Sequence, residues 1–260
     1  MLRRRGIRWP AWRSWCFFLL GLGSFAVVNL GFLGVWSIDL RFAFTTRIAL
    51  LLFAIPSLVS LGAPITMGRQ MLNGASLRAL EAVLRSWPIR LMGNAVFAPL
   101  FALAAFMVFV TPFAGTVRQS AVAVAVLSIA VPIVGLLMVL PIVEETSPRT
   151  SFYITVEFML VFVELILDAI PGILIRLNGH ILDKVGPVVG AVPPWFPSPL
   201  RDQQLSGDLL WFIAEVGDIP ILIVMFLRWS KVDRKEAKNL DELSDEEMDA
   251  LTQAHLRGER

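Results

Sequence analysis

Residues 152–176 read FYITVEFMLVFVELILDAIPGILIR, an apolar run that nonetheless carries three carboxylic acids, Glu157, Glu164 and Asp168. A helix of about 20 apolar residues crosses a bilayer, so the run is long enough for a span. The acids stand at i, i+7 and i+11, and at roughly 100° per residue those offsets bring all three to within about 20° of one helical stripe. One face is acidic and the rest is apolar. An acid at the centre of a membrane helix costs about 2.5–3.5 kcal/mol on insertion scales, so the acidic stripe is expected to face protein or enclosed water, not lipid.

The stretches around it agree. The chain has 260 residues, 56% of them hydrophobic, which is too apolar for a soluble domain of that length. The expected fold is all-α, a polytopic membrane bundle with spans at about 16–36, 47–67, 91–112, 121–143, 152–176 and 207–229. Residues 1–15 are basic, and no small-x-small cleavage site follows the first apolar run, so that run is read as a retained span. Residues 68–90 form a connector in which Leu77, Leu80, Leu84 and the nearby Val83 fall at helical spacing opposite Arg78 and Arg85, as in a headgroup-level helix or a plain linker helix. Spans three and four are nearly free of charge and read as scaffold.

Residues 177–206 hold Pro187, Pro193, Pro194, Pro197 and Pro199 around Trp195 and Phe196, a loop read as an interfacial cap or a simple connector. The sixth span again carries acids, Glu215 and Asp218. Residues 230–260 form a charged tail in which Ser244 and Glu247 have capping-box spacing. Lys and Arg number five in the N-terminal segment, four in the connector, one between spans four and five and seven from Arg228 onward. The positive-inside rule therefore puts both termini in the cytoplasm and the proline-rich loop outside.

Several chemistries are excluded. Cys16 is the only cysteine, so no intramolecular disulfide or paired-thiolate site exists. No basic nucleic-acid footprint is present, and no serine or cysteine in the apolar spans has a histidine partner for nucleophilic catalysis. The chain is not expected to be an enzyme. The methionines are scattered, as packing residues are. His180, with Asp183 three residues on, is a single candidate metal ligand whose ordinary reading is a surface imidazole. Glu157, Glu164, Asp168, Glu215 and Asp218 are the candidate site: they would line a polar cavity that relays protons or holds a cation, or else serve as structural glue, hydrogen-bonded across the bundle or paired with Arg47 and Arg176.

Asp202-Gln203-Gln204-Leu205-Ser206-Gly207, then Trp211, then Gly217-Asp218-Ile219-Pro220 and the exit from Trp229 into a charged tail resemble the last span of the CtaG-type cytochrome c oxidase assembly family. Leu61-Gly62-Ala63-Pro64-Ile65-Thr66 is similar to that family's L-G-A-P-x-T motif, and Ser86-Trp87-Pro88-Ile89-Arg90-Leu91 to its S-x-P-x-R-L segment. Asp168-Ala169-Ile170-Pro171-Gly172 stands near its D-P-x-P segment. The resemblance implies a non-enzymatic factor for assembly of a heme-copper oxidase, with oxidase subunits and the lipid bilayer as partners, a bacterial plasma membrane location, and copper as the metal handled. It also implies histidines near the outer end of the second span and in the fifth, where this chain has Phe44-Thr45-Thr46-Arg47 and Val156-Glu157. Imidazole is the usual ligand for Cu(II), and isolated carboxylates suit harder cations. Two other readings stand beside it, a small proton- or ion-coupled transporter using the five acids and a permanent accessory subunit of a respiratory oxidase.

Overall fold

The computed structural model describes residues 9–94, 96–143, 151–183 and 192–241. Its described residues form ten helical segments: α1 Ala11–Trp36, α2 Arg41–Ser60, α3 Pro64–Met71, α4 Gly74–Leu84, α5 Trp87–Met92, α6 Phe97–Val110, α7 Phe113–Gln119, α8 Ala121–Val143, α9 Ser151–Leu177 and α10 Pro199–Asp241. The chain is a polytopic helical membrane bundle; among the described residues five helices are long and apolar enough to cross a bilayer, or six if the bent pair α6 and α7 makes one span.

Proline chemistry explains the irregular points. Pro56 has no N–H for the carbonyl of Leu52, and α2 widens into a π turn over Leu50–Ala54 around that carbonyl. Thr111-Pro112 separates α6 from α7, which leaves at 85°. The expected straight third span over 91–112 is thus a helix that starts at Phe97 and turns sharply at its far end. The connector is broken into α3, α4 and α5. The sixth helix starts at Pro199, eight residues before the expected Gly207, because Ser198 Oγ accepts from the Arg201 N–H at 3.2 Å and proline is favoured just inside a helix start. The capping-box reading at Ser244 lies outside the described residues.

The contacts set the directions. α2 is the central helix, with 72% of its apolar window buried against 11% for α1. Asp202 meets Arg41, Ser206 meets Thr45, and Gly217 lies against Phe53, so α10 runs parallel to α2. Asn29 meets Arg47 and Gly21 lies against Val59, so α1 is antiparallel to it. Ser128 meets Arg47 and Gly135 lies on Leu52 and Pro56, so α8 is parallel. The Phe109 carbonyl at the end of α6 accepts from Arg41, at the opposite end of the bundle from the connector. The bent pair therefore carries the chain from one end of the bundle to the other.

Small residues set the closest crossings. A Cβ built on Gly172 of α9 would stand 2.8 Å from the Gly207 carbonyl oxygen of α10, which lets α9 and α10 form the most extensive helix pair. The core between the helices is apolar and aromatic, built on Phe44, Leu52, Phe53, Phe106 and Ala214. Ala63, between α2 and α3, takes a left-handed backbone at φ 48°, ψ 57°, a conformation that costs an L side chain about 1–2 kcal/mol.

Candidate functional site

The described structure gathers its buried charge at the end of the bundle where α2 and α10 begin. Asp202 sits in the first turn of α10, and its carboxylate accepts from the backbone N–H groups of Arg41 at 2.7 Å and Phe42 at 2.8 Å. It thus caps the N-terminus of α2 from a neighbouring helix, satisfying two donors that no intrahelical carbonyl reaches. The adjacent Gln203 accepts from the Leu182 N–H at 2.8 Å and donates to the carbonyls of Asn178 at 3.2 Å and His180 at 2.9 Å. One turn on, Ser206 donates to Thr45 at 2.8 Å. Gly207 follows at the crossing with α9. The D-Q-x-x-S-G run is a fastening that ties α10 to α2 and to the chain leaving α9.

Beside it lies an ion cluster. Asp183 accepts from Arg41 with one oxygen and from Arg118 of α7 at 3.0 Å with the other. Arg41, Arg118, Asp183 and Asp202 are each at most 4% exposed. Burying two guanidinium groups is tolerated only because carboxylates and the Phe109 carbonyl stand against them. Arg41 Nε and the Nε and Nη1 of Arg118 have no protein partner. A crevice of about 10 Å³, the room one water needs, is lined by both arginines with Asp39, Asp183, Asp202 and Gln203. The aromatic cap forms over the same end: Trp36 meets Trp195 edge-on at 5.2 Å and Phe42 stacks on Phe196 at 5.5 Å.

Of the five acids read from the sequence, the described side chains are Glu164, Asp168 and Glu215. Asp168 is fully buried on α9, and among the described residues neither of its oxygens has a hydrogen-bond partner. Glu164 is half-buried, and Glu215 accepts from the Trp211 indole on its own helix. The side chains of Glu157, Asp218 and Pro220 lie outside the described residues. Among the described side chains, Arg47 and Arg176 have other partners. Arg47 donates to Asn29 at 2.9 Å, Ser37 at 3.2 Å and Ser128 at 2.5 Å, while Arg176 pairs with Asp208 at 2.9 Å.

His180 is exposed and enters the fold through its backbone carbonyl, while Asp183 is engaged by two arginines. Among the described residues no group of three or more His, Cys, Asp or Glu side chains is placed to hold a metal ion. The other motif residues are packed: Gly62 lies against Phe17, Pro64 opens α3, and Trp229 stacks on Phe158 at 6.3 Å. Arg41, Arg118 and Asp183 were not singled out from the sequence. The available signal was a lone arginine at each of two span ends, since an isolated cation at membrane depth must find a counter-charge.

Two further features complete the picture. An apolar cavity of about 320 Å³ lies between α2, α6, α7 and α8, lined by residues such as Phe44, Leu52, Phe106, Phe113 and Val131. On the connector, Arg69 donates to Glu81 at 2.8 Å, and that bond holds the Glu81 carboxyl below the usual carboxylate range.

These features define a multi-span membrane protein fastened by a buried ion cluster at one end, with no assembled catalytic constellation among the described residues. A family model described as cytochrome c oxidase caa3 assembly factor (Caa3_CtaG) matches residues 1–232, and the chain belongs to that family. It is 26% identical over 264 residues to uncharacterized proteins of Mycobacterium bovis and Mycobacterium tuberculosis, a match covering 94% of this chain. The chain spans 38% of the length of these relatives. No solved structure matches it.

Proposed function

We propose that this chain is a non-enzymatic factor for assembly of a heme-copper cytochrome c oxidase in a bacterial plasma membrane, with both termini cytoplasmic and oxidase subunits as its partners. The observation that carries the reading is the family match, which runs through residue 232 and so takes in every described span. The fastening of the D-Q-x-x-S-G run supports it, because the run shared with the family holds the spans together. Copper delivery is the finer role that the family suggests. The described donors do not fit a resident copper ion, so the reading commits to contact with an oxidase subunit and routes no step through copper.

Affinity purification of the full chain in mild detergent, together with heme a spectra and copper analysis of membranes from a deletion strain, tests the proposal. Recovery of an oxidase subunit with loss of assembled oxidase supports it. Failure to recover any subunit, with normal oxidase copper and heme, overturns it. Stoichiometric presence in the mature purified complex would replace it with a permanent subunit.

Asp168 favours a second reading, proton-coupled transport, because a fully buried carboxyl without a hydrogen-bond partner is suited to proton exchange. Proteoliposome flux that disappears in Asp168→Asn and Glu164→Gln would support it. Flux that survives both would remove it.

A further inference from the structure

The opposite end of the bundle from the ion cluster has the reverse electrostatics. Between Gly62 and Phe97 the sequence holds four arginines and a single carboxylate, Glu81. Arg69 takes that carboxylate at 2.8 Å. Arg78, Arg85 and Arg90 are left exposed, with no ion pair within 4.0 Å among the described residues; the charge of Arg85 acts on Glu81 only at longer range. Residues 78 and 85 are seven apart and share one helical stripe.

Apolar groups stand beside these cations. Val83 is 57% and Trp87 72% exposed, and no residue of α4 or α5 is buried. Leu80 of α4 approaches Gly68 of α3, so the leucine stripe lies toward the bundle and the arginine stripe flanks it. Because α1 is antiparallel to α2, its N-terminal turns reach the same end, where Phe17 packs on Gly62. They bring exposed Trp12 and Trp15, and Arg13 stacked over Trp9 at 5.3 Å and Trp12 at 5.6 Å. Both ends of the connector continue into membrane helices, so it cannot leave the bilayer surface. Indole rings and guanidinium groups ringing one end of a bundle match the headgroup layer.

We propose that α4 and α5 form a binding surface for anionic phospholipid headgroups, with Arg78, Arg85 and Arg90 taking the phosphates and Val83 and Trp87 entering the acyl boundary. A guanidinium presents paired donors to a phosphate, which favours a phosphodiester over a zwitterionic surface of the same bulk. The acidic run from Asp241 to Asp249 is the competing occupant within the chain. α10 is parallel to α2, so its last residue, Asp241, stands toward this same end.

The full chain in nanodiscs of mixed phosphatidylglycerol and phosphatidylcholine, released and weighed by native mass spectrometry, tests the surface. Preferential retention of phosphatidylglycerol is expected. It should fall about five-fold for each arginine replaced in R78Q, R85Q and R90Q, the equivalent of about 1 kcal/mol per cation at a charged surface. Raising the ionic strength of the wild-type sample should lower it without any substitution. Equal retention of the two lipids by the wild type overturns the proposal, as does retention unchanged in the triple variant. If the tail holds the arginines instead, phosphatidylglycerol retention will emerge only in full-length E242Q/D245N/E246Q/E247Q, and that result also overturns it.

Discussion

Replacing Asp183 by asparagine keeps the side chain's shape and removes one charge from a site where two guanidinium groups converge. In the native structure one carboxylate oxygen faces Arg41 and the other faces Arg118 at 3.0 Å, all three groups being at most 3% exposed. Asp202 already acts on both arginines at longer range, but its oxygens accept from the α2 backbone at 2.7 and 2.8 Å, so its single charge covers only part of the loss. Removing one partner of a buried pair costs about 3–5 kcal/mol, because the remaining charge is left in a poor solvent. Asp183→Asn should therefore lower the folding equilibrium constant by more than about 100-fold, one factor of ten for each 1.4 kcal/mol. The assay is equilibrium denaturation in mixed micelles, followed by tryptophan fluorescence. Arg118→Met in the Asp183→Asn background should recover part of the loss, with a coupling of about 1–3 kcal/mol. A single-variant loss below about 1 kcal/mol, the range of exposed pairs, would refute the reasoning, as would strict additivity in the double variant.

Three further outcomes follow from other contacts. Gly207→Ala places a methyl 2.5 Å from the Gly172 carbonyl oxygen, so α9 and α10 must separate; a loss of about 1–3 kcal/mol is expected in the same unfolding assay. Ala63→Gly removes the side chain from a left-handed position and should raise stability by about 1 kcal/mol, read as an upward shift in the denaturation midpoint. Asp168→Leu replaces a buried carboxyl without a hydrogen-bond partner by an apolar group of similar shape and should be neutral or stabilising by up to about 3 kcal/mol. A clear loss there would mean the carboxyl is bonded.

Hydrophobic runs made the bundle legible, because the length of an apolar stretch is a direct measure of bilayer thickness. The acidic stripe of α9 was equally plain as a pattern, and Asp168 is indeed buried, but periodicity places an acid on a face without naming what lies opposite. The true counter-charges came from elsewhere in the chain. Asp183 was noted only as a neighbour of His180, and its partners Arg41 and Arg118 lie 142 and 65 residues away. Such pairings depend on which helix ends meet, and composition carries no record of that. Helix starts were misjudged for a related reason. Proline clusters were read as loop throughout residues 177–206, whereas Pro199 following Ser198 begins a helix, so Asp202 and Gln203 fall in its first turns and not in a connector.

That shift changes what the motif residues can mean. In a loop, Asp202 and Gln203 would be free groups and natural candidates for a ligand. In the first turns of α10 their hydrogen-bonding capacity is used on the protein itself, one oxygen after another: two backbone donors of α2, one donor at Leu182 and two carbonyls at Asn178 and His180. Both N–H donors of Gln203 and one site on each Asp202 oxygen are thereby committed, so a ligand taking those positions would have to break the fold's own bonds. The D-Q-x-x-S-G run is therefore architecture in this chain, and the partner proposed above would be recognised by surfaces that the run holds in place. At the ion-cluster end that surface is the cap of Trp36, Phe42, Trp195 and Phe196, whereas the arginine stripe of the connector at the other end is the one assigned to lipid. The partner subunit proposed above would then meet the aromatic rings, so substitutions that weaken its binding should map to that cap, and those at Asp202 and Gln203 should act through folding.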